Sequence, residues 1–300
     1  MKKKTYLFAL MTMALTLGSC SDNENGIGGE TSKYITVSTS IGNMTRVATD
    51  ANGGQTFEEG DEISVYAWTG APTVAPETSE RVVNNAINKL TNGSWVATPQ
   101  MLWKNNRDKH YFIGVYPVST ISDLSAGEYT FDETKQVESD LLVAVNKDGL
   151  SYNVDEQQPV PLTFTHVMAK LVVNLTYKNQ WGGIPTVEKV AVGNAAKEAT
   201  INYLTKVVTP STTAKEDFSL PEITENTKYV SVIIPQEDVK QLTIVIGGKN
   251  FVYDNGTPFK LESGKITTVN LEVGRDEIKL GDVKITDWED GSTFGGEALN

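Results

Sequence analysis

The sequence contains few residues of the kinds that build metal sites, disulfide bonds and many catalytic centres. Its 300 residues include one cysteine and two histidines. A single cysteine cannot form a disulfide within the chain, and this set excludes zinc-finger spacings and Cys/His metal clusters. We therefore predict no metal site and no cofactor, and few classes of enzyme remain.

Basic residues are also scarce relative to acidic ones. Lysine and arginine number 26 against 38 aspartate and glutamate residues, which gives a formal net charge of −12 and a pI near 4.7. Non-specific affinity for nucleic acid rests largely on lysine and arginine against phosphate. We therefore expect no nucleic-acid partner, and the charge balance fits a soluble, secreted surface domain.

The motifs of the common enzyme classes are missing from the sequence. It has no nucleophile elbow, P-loop, dinucleotide fingerprint or metalloprotease helix. We expect His166 to be a buried or half-buried strand residue and His110, in a polar run, to lie in a solvated loop. Carboxylate pairs such as Glu58 and Glu59 usually serve solvation and turns, so we predict no catalytic residue. A hydrolase with two carboxylates across a sugar is the enzymatic alternative.

The amino terminus has the pattern of a targeting segment. Three lysines at positions 2–4 precede Tyr6–Leu17, a mostly apolar stretch of twelve residues. This stretch is too short for a relaxed transmembrane helix and has the length of a signal-peptide core. We therefore predict a signal peptide over residues 1–19.

The cysteine follows this stretch directly. Leu17-Gly18-Ser19 before Cys20 resembles a bacterial lipobox, which implies cleavage before Cys20 and acylation of that residue. Each buried methylene contributes about 0.8 kcal/mol to membrane binding, so several acyl chains anchor a protein firmly. We predict a lipidated tether over residues 20–32 and a partner in the outer membrane. An ordinary signal peptide with an incidental cysteine is the alternative.

The rest of the sequence is typical of β-strands. Apolar residues alternate with period two in runs such as Ile63, Val65 and Ala67, and Asn92-Gly93 indicates a hairpin turn. These features predict an all-β protein, and its length fits two tandem β-sandwich domains. Two prolines at 159 and 161 stiffen a connection and break a strand ladder, so we predict domains over 33–158 and 159–300.

Several segments stand in a recognisable order along the chain. They are Phe57–Asp61, Ile63–Tyr66, Trp103, Tyr111-Phe112, Tyr116-Pro117, Asp140–Leu142, Phe164–His166, Ala169–Leu171, Ile234–Gln236, Leu261, Gly264–Ile266 and Ile285–Trp288. Together they resemble the fimbrillin family of Bacteroidales, the subunits of type V pili, over about Ile35 to Gly291. The resemblance implies two transthyretin-like β-sandwich domains, no enzymatic activity and a part in a surface fibre.

The family's assembly by strand exchange can be placed on particular residues. The first strand has Ile35, Val37 and Ile41 on one face, so it can fill an apolar groove. Its removal would expose that groove and two unpaired ladder edges, which a strand of the next subunit could occupy. The resemblance implies a trypsin-like protease that cuts after an arginine. Arg46 is the candidate, with Val47 as the new terminus, and a plain surface arginine is the alternative.

The donor strand is expected from the C-terminal end of the chain. Val283 and Ile285 alternate within Glu277–Trp288, and the tail after Trp288 is the other candidate. The expected partners are other pilus subunits, and the expected location is the outer membrane, the cell surface and the fimbrium. A stalk, tip or anchor position stays open. The alternative function is a monomeric surface lipoprotein that binds a glycan or a host protein.

Overall fold

A computed structural model describes residues 33–42, 56–152 and 158–288 of the chain. Cys20, Arg46, Val47 and the tail from residue 289 lie outside the described residues.

Regular structure in the described residues is nearly all β-strand. The strands are β1 (Val37–Ile41), β2 (Glu62–Thr69), β3 (Val83–Thr91), β4 (Ser94–Thr98), β5 (His110–Tyr116), β6 (Gly127–Thr130), β7 (Leu142–Leu150), β8 (Val160–His166), β9 (Ala169–Tyr177), β10 (Val187–Ala196), β11 (Glu198–Asn202), β12 (Val207–Pro210), β13 (Lys215–Ser219), β14 (Glu222–Thr224), β15 (Lys228–Ile233), β16 (Gln236–Ile246), β17 (Lys249–Leu261), β18 (Lys265–Val273) and β19 (Ile278–Asp287). Two short 3-10 helices cover Thr78–Glu80 and Asn179–Trp181. The prediction of an all-β protein is confirmed.

The strands form four sheets. A seven-stranded sheet has the order β1-β8-β7-β5-β2-β3-β4, and a five-stranded sheet has the order β14-β15-β9-β18-β19. A four-stranded sheet has the order β13-β10-β16-β17, and a three-stranded sheet has the order β12-β11-β6. The pairs β1–β8 and β9–β18 are parallel, whereas β2 and β5, like most neighbours, are antiparallel.

The predicted hairpin is present between β3 and β4. Thr91 pairs with Ser94, and the two residues between them, Asn92 and Gly93, have φ of 52° and 72°. Positive φ at both central positions is the backbone of a type I′ turn, which asparagine and glycine tolerate best. Local turn chemistry therefore fixes this hairpin.

The seven-stranded sheet is buried on both faces at its centre. Ile63 and Val65 of β2 belong to a smaller core cluster, whereas Tyr66 and Trp68 on the opposite face belong to a larger one. The alternation in the sequence indicated only the face that carries Ile63 and Val65. The larger cluster also contains Leu171 of β9 and other side chains of the later sheets, which therefore cover the second face.

The region of the predicted domain boundary is occupied by a strand. β8 pairs with β1 and with β7, and Pro161 lies inside it opposite Ser38. The expectation that this proline breaks a ladder was wrong. Val160 donates its N–H to the Thr36 carbonyl, on the side of β1, so the nitrogen of Pro161 points to the opposite side, toward β7. On that side the pairing of β8 with β7 begins only at Phe164. The division into two sandwich domains stays a prediction.

Candidate functional site

The first strand, β1, lies at one edge of the seven-stranded sheet. It pairs in parallel with β8 in the register Val37 opposite Val160 to Ile41 opposite Phe164. The ladder is extended by Gly42, whose N–H donates to the Phe164 carbonyl at 2.8 Å. β1 is therefore held as a strand from one side.

The segment just before β1 has a second, shorter attachment. The N–H of Ile35 donates to the Met101 carbonyl at 2.9 Å, and the N–H of Trp103 donates to the Lys33 carbonyl at 3.2 Å. Two flanking ladder edges were expected. The described residues show one along β1 and a short contact before it, because β1 is an edge strand.

The inner face of β1 is apolar, as its alternation predicted. Ile35, Val37 and Ile41 are 1%, 6% and 7% exposed. They belong to the smaller core cluster, which includes Leu162 and Phe164 of β8. We call the space that these three side chains fill the β1 groove.

An aromatic group forms one wall of the β1 groove. Phe57 is its centre, with ring centroids 5.3 Å from Trp95, 5.4 Å from Tyr116 and 5.1 Å from Phe164, all edge to face. Such pairs add about 0.5–1.5 kcal/mol each beyond area burial. Burial also raises the pKa of Tyr116 to about 12, so this phenol stays uncharged well above neutral pH.

A cavity of about 650 Å³ lies beside β1, on the side away from β8. It is lined by residues 36–41 of the first strand and by Phe57, Leu90 and Trp95. The Nε1–H of Trp95, on the opposite edge strand β4, donates to Thr39 Oγ1 at 3.0 Å. β1 thus has its ladder on one side and a partly filled space on the other.

A second cluster lies at the end of β8, where distant segments of the chain meet. The His166 ring stacks on the Trp288 indole with centroids 4.0 Å apart and planes 4° apart. His166 Nδ1 lies 2.8 Å from Asp140 Oδ1. The Nζ of Lys170 is 5.2 Å from the centre of the Trp288 ring. These residues pack the end of β19 against the turn between β8 and β9.

Lys170 is the most heavily buried cation of this cluster. It is 3% exposed, and burial lowers its pKa to about 8 against an ordinary value of 10.5. The nearby Asp140 carboxylate opposes this lowering, whereas the Lys228 ammonium adds to it. The stack on Trp288 therefore includes a cation that is desolvated at neutral pH.

The candidate donor strand, β19, is the edge of the five-stranded sheet. Val283 pairs with Val269 and Ile285 pairs with Thr267 of β18. Their side chains are 38% and 40% exposed, although both partners on β18 are fully buried. Val283 and Ile285 therefore form an apolar strip that the sheet edge leaves partly uncovered.

One histidine was assigned wrongly from the sequence. His110 begins β5 and is fully buried, with Trp103 packed against its ring edge to face at 5.0 Å. Its Nε2 accepts the Lys104 N–H at 3.1 Å, so its Nδ1 donates to the Asp108 carbonyl at 3.0 Å. The polar run before it wraps this ring with backbone groups, and burial lowers its pKa. His166 is buried, as expected.

The described residues show neither a metal-binding cluster nor a membrane-spanning helix. Within residues 33–42, 56–152 and 158–288, no three His, Cys, Asp or Glu side chains are grouped to hold a metal ion. In the same ranges, no helix has the length and apolar character needed to cross a membrane.

A family model described as fimbrillin-like matches residues 45–288. No curated protein matches the chain significantly.

Solved structures of cell adhesion and fimbrial proteins share the fold. A candidate cell adhesion protein of Bacteroides ovatus has a TM-score of 0.64 at 18% identity, covering 85% of this chain and 98% of its own. One of Bacteroides uniformis has 0.64 at 19% identity, covering 86% and 100%. The tip fimbrial protein Mfa3 of Porphyromonas gingivalis has 0.51 at 12% identity, covering 77% and 95%. At these identities the TM-scores show similarity of fold alone.

The floor of the β1 groove depends on a glycine. A Cβ built at Gly114 would lie 2.6 Å from Phe164 Cζ and 3.1 Å from Leu162 Cδ1. We expect Gly114→Ala to lower the free energy of unfolding by about 1–3 kcal/mol, because Phe164 has to move. Urea denaturation measures this. In a Phe164→Leu background the same change should cost less, and an equal cost in both backgrounds would contradict the steric explanation.

The buried Lys170 should make stability depend on pH above neutrality. From pH 8 to 10 the folded chain releases the Lys170 proton while the unfolded chain keeps it, so stability should rise with pH. The rise attributable to Lys170 is on the order of 2 kcal/mol by pH 10. Denaturation at several pH values should show that Lys170→Met removes this component. The exposed Lys240→Met is the control, and an unchanged slope in Lys170→Met would refute the assignment.

Proposed function

This chain belongs to the fimbrillin-like family, and we propose that it is a fimbrial subunit with a structural and adhesive role at the cell surface. Family membership confirms the prediction that the chain is not an enzyme. The observation that carries the proposal further is the edge position of β1. This strand has a ladder on one side and three aliphatic side chains in an apolar groove.

We infer that assembly proceeds by exchange of this strand. Burial of three aliphatic side chains contributes on the order of 5–9 kcal/mol, which an incoming strand of matching pattern would recover. The edge of β8 that β1 leaves behind would supply backbone hydrogen bonds to the same strand. Affinity would therefore come from the ladder, and specificity from the positions of Ile35, Val37 and Ile41.

In this proposal, proteolysis triggers the exchange of β1. While β1 is covalently linked to β2, it competes for the groove at the high effective concentration of an intramolecular ligand. Arg46 lies in the sequence between Gly42, at the end of the β1 ladder, and Thr56, where the described chain resumes. A trypsin-like cut after Arg46 would turn β1 into a separate peptide, and a strand from another subunit could then replace it.

The donor in this proposal is β19 or the tail that follows it. β19 pairs with β18 along nine residues and is followed by Trp288, which stacks on His166. Its release would break these contacts, whereas a tail beyond Trp288 could be donated without breaking them. The other pilus subunits are the partners in either case.

The proposed precursor is a lipoprotein of the outer membrane. Acylated Cys20 would hold the chain at the surface until the cut after Arg46 separates the lipidated peptide from the subunit. An uncut chain would remain anchored through its lipid. Whether the cut occurs therefore decides between a polymerising subunit and an anchor.

A second cleft, between the end of β2, the segment after it and the segment before β5, favours the alternative function. It has a volume of about 720 Å³ and is lined by Val74, Leu102, Trp103 and Lys104, among others. Val74 and Leu102 are 63% and 50% exposed. The alternative is a monomeric surface lipoprotein that binds a glycan or host protein here. Saturable binding on a glycan array by a chain that does not polymerise would favour it.

Replacement of Arg46 tests the processing step. Arg46→Ala should leave a chain that starts at acylated Cys20 and should abolish fibres, because a trypsin-like protease no longer finds its residue. Arg46→Lys is the matched control, since such proteases also cut after lysine. Intact mass of the protein recovered from the cell surface measures the outcome, with Val47 as the expected first residue of the wild-type subunit. Normal fibres from Arg46→Ala would refute the proposal.

A further inference from the structure

One polar contact spans the open side of the β1 groove. Trp95 lies on β4 and Thr39 on β1, the two opposite edge strands of the seven-stranded sheet. The Trp95 Nε1–H donates to Thr39 Oγ1 at 3.0 Å. This hydrogen bond therefore joins the strand in the groove to the far wall of the cavity.

Trp95 is the hydrogen-bond donor of this contact, and the packing of its ring holds the N–H in position. The indole nitrogen can donate a hydrogen bond but cannot accept one. Trp95 is half-buried, and its ring packs edge to face on Phe57 at 5.3 Å. A strand that occupies the groove therefore meets, at the position of Thr39, an N–H that an acceptor side chain satisfies directly.

The apolar contacts of the inner face discriminate less sharply between incoming strands. The sites of Ile35, Val37 and Ile41 are lined by apolar side chains, and apolar pockets separate similar aliphatic groups weakly. A site built around a hydrogen bond rejects a ligand without the matching group more strongly, because a polar atom is then left without a partner.

We propose that Trp95 is a specificity-determining residue of the β1 groove. It selects strands that carry an acceptor side chain, such as threonine or serine, at the position of Thr39. It rejects strands with an aliphatic side chain there, even when the positions of Val37 and Ile41 match. This inference rests on the proposed strand exchange and adds to it a polar requirement on the donor strand.

A second polar contact of β1 provides an internal control. The Ser40 hydroxyl donates to Thr163 Oγ1 at 3.2 Å, at an exposed position on the outer side of the sheet. Water replaces such a contact at little cost. Ser40 therefore should not contribute to selection, although it is adjacent to Thr39.

The test measures how well peptides refill the groove. The full chain is cut between Ile41 and Phe57, at Arg46 or at an inserted site for a specific protease. A labelled peptide of residues 33–42 then competes with the retained first strand, and fluorescence anisotropy reports binding. The Thr39→Ser, Thr39→Val and Ser40→Ala peptides are compared with it, since valine keeps the shape of threonine and lacks the acceptor.

We expect the Thr39→Val peptide to bind about tenfold more weakly than the native peptide. The Thr39→Ser and Ser40→Ala peptides should stay close to the native affinity. In a Trp95→Phe chain, which keeps an aromatic ring and lacks the N–H, the native and Thr39→Val peptides should bind equally.

The outcomes distinguish selection by Trp95 from strand exchange itself. Equal binding of the native and Thr39→Val peptides to the wild-type chain overturns the selection by Trp95 and leaves strand exchange intact. Discrimination that persists in the Trp95→Phe chain overturns the role of the indole. Binding of no peptide overturns strand exchange itself and the selection with it.

Discussion

The parallel pairing of β1 with β8 is the constraint on which the candidate groove depends. Parallel strands need a long crossover connection, and Ser40 meets Thr163 across a separation of 123 residues. The first strand therefore receives its pairing partner from a segment far along the chain. At the edge of the sheet it has a single ladder, to β8, and a cavity beside it.

The remainder of the seven-stranded sheet has support that is independent of β1. The central strands β2 and β5 lie between two core clusters, so that Ile63 and Tyr66 are both fully buried although they face opposite sides. Loss of the first strand removes three side chains from the smaller cluster and none from the larger. The larger cluster would therefore stay intact if the edge strand were replaced, as the proposed strand exchange requires.

Segments that stand far apart in the sequence meet in the fold. His166, Trp288 and Asp140 stand far apart along the chain, yet a ring stack and a short contact bring them together at the end of β8. The same strand carries Phe164, which packs beneath β1. The groove and the C-terminal end of β19 are thus built on one strand, a proximity that spacing along the chain does not contain.

The sequence by itself determined the local features: the strand periodicity, the turn at Asn92 and Gly93, and the apolar inner face of β1. These depend on alternation and on backbone φ, which neighbouring residues set. Only the tertiary structure decided that His110 is buried and that Pro161 lies inside a strand. It also brought the Trp95 indole to the first strand. Each of these depends on which distant strands pair and in what register, and that choice is made by packing of the whole sheet.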